Sequence, residues 1–169
     1  MIRAIVITGS PGAGKSSVLE ALSGLLDHDG VPHAAFESEQ LGWGTPWLTE
    51  EQCYALLGEL CVALRRYGRE LFLIAGTTVT SAHVASIVRA IGADRTSVVC
   101  LRAAPETAAR RVMDREPPEW HGRDALAERA RELATQIPAL DGIDVHITTE
   151  DRHPRDVARE IRSKALQGV

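Results

Sequence analysis

The sequence predicts an α/β domain: a five-stranded parallel sheet with helices on both faces. Two observations carry this. Five short apolar runs alternate with stretches of helical character along 169 residues. The first run, "RAIVIT", is continuously apolar rather than alternating, as expected of a strand covered on both faces. The length is that of one domain with a sizeable core, so residues 1–169 are read as a single unit.

Each element can be justified in order. The first strand is "RAIVIT", residues 3–8, and the helix after it runs over 15–28 and ends at Gly30. "PHAAFE", 32–37, is a short second strand, followed by a loop rich in Gly, Pro and Trp. Thr49-Glu50-Glu51-Gln52 is a capping box that opens a helix to about Tyr67, stopped by Gly68. "ELFLIAG", 70–76, is the third strand, and "SAHVASIVRAIG" a helix closed by Gly92. "TSVVCLR", 96–102, is the fourth strand. Pro105 takes the first position of the next helix, which Pro117-Pro118 stops. A further helix ends before Pro138, "IDVHIT" at 143–148 is the fifth strand, and Pro154 opens a final helix to about Lys164. With right-handed crossovers, ligands gather at the carboxyl ends of the strands, near the switch point beside strand one.

That edge begins with a specific motif. Gly9, Gly14, Lys15 and Ser16 match G-x-x-x-x-G-K-[ST], the phosphate-binding Walker A loop, between a strand and a helix as the motif requires. A loop that wraps polyphosphate must bring its backbone N–H groups close to anionic oxygens, which favours residues without bulk. The helix start adds free N–H groups and a favourable dipole. We assign Gly9, Ser10, Pro11, Gly12, Ala13, Gly14, Lys15, Ser16 and Ser17 to nucleotide binding. Lys15 reaches the β- and γ-phosphates, and the Ser16 hydroxyl is the Mg²⁺ ligand.

Composition narrows the partners. Apolar residues make up 44% and charged residues 25%, ordinary for a soluble globular chain. A net charge of −4 argues against a nucleic-acid partner, which needs a basic face. No apolar run reaches the roughly 18 residues of a membrane span, and the first apolar stretch is too short for a signal peptide. Three cysteines without a CxxC pair fit a reducing cytoplasm and read as buried small apolar residues. His28 and His33 flank a Gly-Val-Pro turn and read as surface residues.

Further candidates lie at the same edge. Glu37 and Glu39, in "FESEQ", share a face if the chain stays extended. One can take a proton from an acceptor hydroxyl while the other positions the Mg²⁺ shell, with Glu37 slightly preferred as the residue nearer the strand end. Trp43 and Trp47 either wall a ring-shaped acceptor or pin their loop. No Asp ends strand three, which shifts the acidic work to strand two, and Thr77, Thr78 and Thr80 are substrate contacts or simple turn and cap residues. A regulatory GTPase is disfavoured, because no N-K-x-D segment exists and the D-x-x-G match at 27–30 ends a helix. Arg102, Arg110, Arg111, Arg115 and Arg123 cluster around the Pro-Pro break. Such a break between two helices can close as a lid, about residues 115–124, with Arg111 and Arg115 the leading phosphate contacts. The alternative is a solvated basic face paired with Glu106, Asp114 and Glu116. The loop before the last helix lies beside the adenine, with Arg152 a candidate base contact.

On "GSPGAGKSS", "FESEQ", "VVCLRAAPETAARRVMDRE" and "HPRDVAREI", the chain resembles the nucleoside-monophosphate-kinase-like small-molecule kinases. These P-loop proteins include gluconate, shikimate and adenylylsulfate kinases and chloramphenicol phosphotransferase. The resemblance implies a P-loop NTPase fold with a helical lid. It also implies transfer of the γ-phosphoryl group of Mg·ATP to a small-molecule hydroxyl. By resemblance, Glu37 or Glu39 meets the acceptor and Arg111 and Arg115 meet the phosphates. Glu-Ser-Glu departs from the aspartates of many relatives. The other readings are a nucleoside or nucleotide kinase, a nucleic-acid end kinase, and a non-catalytic ATP-binding regulator. The acceptor and the oligomeric state are not legible in the sequence.

Overall fold

Five parallel strands form one sheet in the order β2-β3-β1-β4-β5. The computed structural model describes residues 1–166. The strands are β1 Arg3–Thr8, β2 His33–Glu37, β3 Leu71–Ala75, β4 Arg95–Arg102 and β5 Val145–Thr148. The helices among the described residues are α1 Lys15–His28, α2 Glu50–Arg65, α3 Ser81–Ile91, α4 Pro105–Arg115, α5 Arg123–Gln136 and α6 Pro154–Leu166. None is long and apolar enough to cross a membrane.

The alternation of side chains along the strands divides the core into two layers. Ile5, Ile7, Leu71, Leu73, Val99 and Leu101 point to one face, where α1 and α6 supply Leu22, Leu26, Val157 and Ile161. Ala4, Val6, Phe72, Ile74 and Val98 point to the other, under Leu57 and Cys61 of α2 and Val84, Ile87 and Ile91 of α3. Burial of both faces is why the strand sequences read as unbroken apolar runs. Cys61 and Cys100 are fully buried, and burial pushes both thiols up to about 11, so they act as small apolar residues.

The caps follow the sequence. Thr49 Oγ1 accepts the Gln52 N–H while Gln52 Oε1 accepts the Thr49 N–H, a complete capping box on α2. Thr80 caps α3 by accepting the His83 N–H. The start of α4 is capped from a distance: Glu150 Oε1 accepts the Ala104 N–H at 2.6 Å and Oε2 accepts the Thr107 hydroxyl.

Two expectations change. His33 is buried, not a surface residue: its ring bonds Ser23 Oγ at 2.7 Å and the Val31 carbonyl at 2.9 Å, so neighbours replace water. The chain after Glu37 is not extended but turns into a short 3-10 segment, Ser38–Gly42. Glu37 and Glu39 therefore do not share a strand face.

Candidate active site

The central strand β1 delivers the loop 9–14 to the carboxyl edge of the sheet, between β3 and β4. Gly12 lies at φ +77°, and a Cβ there would collide with the Ala108 carbonyl of α4. Only glycine fits both the backbone and the gap. Gly14, in the left-handed region, caps α1 with open space around it. The loop is thus a backbone-lined concavity at a helix N-terminus, suited to anionic oxygens. Ser10 Oγ is buried there without a hydrogen-bond partner. The entry to the loop is fixed by Thr8, whose hydroxyl lies 2.6 Å from that of Thr78 and accepts the Thr78 N–H. Thr78 is therefore a buried strut, and Thr80 a helix cap.

Lys15 opens α1 and curls back, donating to the carbonyls of Gly9 at 3.0 Å and Ser10 at 3.1 Å. Burial pushes its ammonium below the ordinary value. Glu39 opposes that shift, Arg115 reinforces it, and Glu37 and Cys100 oppose it more weakly. The lysine thus feels three of the side chains singled out in the sequence. Ser16 is exposed on the first turn. No cluster of three metal-ligating side chains exists among the described residues. The exposed Ser16 hydroxyl is an oxygen of the kind Mg²⁺ takes as a ligand.

The two acids occupy different surroundings. Glu37 ends β2. Glu39 sits in the 3-10 turn, where its Oε1 accepts the Thr77 N–H at 2.7 Å. Ser38 Oγ adds a bond to the Ala75 carbonyl. Glu39, and not Glu37, lines a cleft of about 290 Å³ between this turn and the starts of α2 and α3. Trp47 lines the same cleft, while Trp43 does not and is 75% exposed.

The arginines divide by role. Arg111 is half-buried and donates to the Gly12 carbonyl at 3.3 Å, to Thr149 Oγ1 at 3.1 Å and to the Thr149 carbonyl at 3.0 Å. It locks the phosphate loop to the loop after β5. Arg115 ends α4 half in solvent, paired with Glu116 at 2.5 Å. Arg123 donates to the Met113 carbonyl, which ties the start of α5 to the end of α4. Small residues then let these helices pack closely, with Ala108, Ala109 and Val112 against Ala127 and Ala130. The stretch 116–122 between them is a connection of turns outside the helices, with Trp120 half-exposed. Arg152 turns onto α6, bonding Glu160 at 2.7 Å and the Thr148 carbonyl at 3.3 Å.

Sequence reading missed the pair Glu50–His83, with Oε2 and Nε2 2.8 Å apart across the cleft. The one available signal is that both residues open helices facing this edge.

No protein-family model matches the chain, and no curated protein matches it significantly. Solved structures do. Shikimate kinase from Acinetobacter baumannii, in complex with shikimate, is 19% identical and superposes with a TM-score of 0.64 over 98% of this chain and 94% of that one. APS kinase from Mycobacterium tuberculosis, in complex with AMPPNP and APS, is 20% identical with a TM-score of 0.68 over 99% and 98%. The tunicamycin resistance protein of Deinococcus radiodurans is 17% identical with a TM-score of 0.66 over 97% and 95%. A five-stranded parallel sheet, a glycine-rich loop after its central strand and full-length superposition together give this chain the fold of the P-loop small-molecule kinases.

Proposed function

We propose that the protein is an ATP-dependent kinase that transfers the γ-phosphoryl group of Mg·ATP to a hydroxyl of a small molecule. The observation that carries this reading is the glycine-rich loop 9–14 after the central strand β1, with Lys15 folded back onto its carbonyls, in a chain that superposes over its full length on P-loop small-molecule kinases. A phosphate-binding lysine, a carboxylate and a mobile guanidinium are what in-line transfer needs at one point.

In this reading the loop 9–14 holds the β- and γ-phosphates through its N–H groups, and Lys15 exchanges its two carbonyl partners for phosphate oxygens. Mg²⁺, when bound, neutralises charge on the phosphates, and Ser16 is its protein ligand. Glu39 orients or deprotonates the acceptor hydroxyl from the cleft wall, and Glu37 stands behind it. Arg115 leaves Glu116 and offsets charge on the transferring group, with 116–122 closing over it as the lid. Arg111 acts from beneath by fixing the loop against the base-side segment. Arg152 reaches the base only by leaving Glu160, so base recognition rests on the backbone of residues 149–153. A reducing cytoplasm suits the buried thiols.

The shikimate and APS kinases of this fold bind small acceptors, which supports a small acceptor here. The test is ADP release from Mg·ATP against a panel of hydroxylated compounds, with Lys15→Ala as control. Stimulation by one compound class, lost in Lys15→Ala, supports the reading. Full activity in Lys15→Ala overturns it.

A further inference from the structure

The cleft beside Glu39 carries information about its occupant. Its floor is apolar, formed by the buried Leu57 and Ile87. Trp47 stands at its rim with 67% of its surface open, an indole face free to stack. Its titratable groups include Glu39, Glu50, His83 and Tyr54, beside the hydroxyls of Ser38, Thr77 and Thr78, and no lysine or arginine is among the described residues that line it.

These polar groups are organised. Glu50 Oε2 pairs with His83 Nε2 at 2.8 Å. Burial, together with the Glu50 charge, pushes the Tyr54 phenol up to about 12. Tyr54 is thus a neutral phenol near Glu50, and His83 holds Glu50 in place. Glu39 is held by the Thr77 N–H. An anion entering here meets two carboxylates and no lysine or arginine in the lining, with Lys15 lying beyond it and opposed by Glu39. A neutral hydroxylated group meets acceptors for its protons, and a cation meets a favourable field.

Resting on the kinase reading, we propose that this cleft takes an uncharged or cationic acceptor with a flat apolar face beside its hydroxyl. Glu50, held by His83, excludes acceptors that carry a carboxylate or a phosphate. Specificity of this kind comes from a repulsive element as much as from an attractive one.

The test uses three probes of one shape: phenyl β-glucoside, its 4-aminomethyl derivative and its 4-carboxyl derivative. The full chain carries Trp43→Phe and Trp120→Phe, leaving Trp47 as the one indole reporter among its three tryptophans. The neutral and cationic probes quench Trp47 saturably, and the carboxyl probe binds at least about tenfold more weakly. Glu50→Gln narrows that gap while melting stays cooperative. A carboxyl probe that binds as tightly as the neutral one overturns the proposal. So does the absence of a saturable response to all three, or a gap that Glu50→Gln leaves unchanged. Mg·ATP binding is titrated separately with a fluorescent ATP derivative. Its loss overturns the kinase reading and leaves the charge preference of the cleft to be judged by the quenching alone.

Discussion

Glu39 Oε1 accepts the Thr77 backbone N–H at 2.7 Å, which ties the turn after β2 to the loop after β3. The same carboxylate is the strongest charge acting on Lys15. One side chain therefore joins the cleft between α2 and α3 to the loop 9–14.

Glu39→Gln keeps a carbonyl oxygen for Thr77 but removes the charge and the proton acceptor. Its kcat falls by about 10²–10⁴-fold, the usual contribution of general acid–base catalysis, with the melting temperature little changed. Glu37→Gln, away from the cleft, loses less. Steady-state kinetics of the two variants decide the order, and a larger loss in Glu37→Gln reverses the assignment.

Arg111 and Arg115 separate stability from catalysis. Arg111→Ala removes three hydrogen bonds, two to Thr149 and one to Gly12. It costs about 1.5–3 kcal/mol of stability and raises the KM for ATP, because charged hydrogen bonds lose about that much when broken. Arg115→Ala breaks only a half-exposed pair with Glu116, worth about 0–1 kcal/mol, and lowers kcat instead. Denaturant titrations beside kinetics distinguish the two.

Lys15 gives a pH signature. Burial holds its folded pKa below 10.5, so between that lowered value and 10.5 the unfolded chain binds more protons than the folded one. This group's contribution to stability therefore rises with pH through that window, and below it the penalty is constant. Lys15→Met removes the term. The difference in urea midpoint between the nucleotide-free wild type and this variant shrinks as pH rises into the alkaline range. A difference that stays flat contradicts the assignment.

Gly12→Ala forces an alanine to φ +77° against the Ala108 carbonyl. Strain of about 1–3 kcal/mol follows, and the loop moves off α4. Nucleotide affinity drops with it, measurable by calorimetric titration of Mg·AMPPNP.

Much of the fold was legible because burial of both sheet faces leaves unbroken apolar runs, and because caps such as Thr49–Gln52 are local chemistry. The glycine-rich loop between β1 and α1 was legible because its spacing is itself the geometry. What escaped depends on pairing across the chain. Strand order is set by which buried faces meet, and no local pattern records it. Glu39 leaves the extended chain because the 3-10 turn gives Thr77 a carboxylate partner 38 residues away in sequence. Arg111, Arg152 and His33 look like free polar groups in the sequence, yet the fold gives each a partner on another element or loop: Thr149, Glu160 and Ser23. The pair Glu50–His83 needed two helix starts to converge.

In the kinase reading the Lys15 loop and the Glu39 cleft serve one transfer. The most direct measurement incubates the protein with Mg·ATP labelled by ¹⁸O on the γ-phosphoryl group and pooled hydroxylated compounds, and weighs the products. The account predicts a labelled phosphoryl group on an acceptor hydroxyl, absent with Lys15→Ala and sharply reduced with Glu39→Gln. Label found only in inorganic phosphate, or an unchanged product with Lys15→Ala, contradicts it.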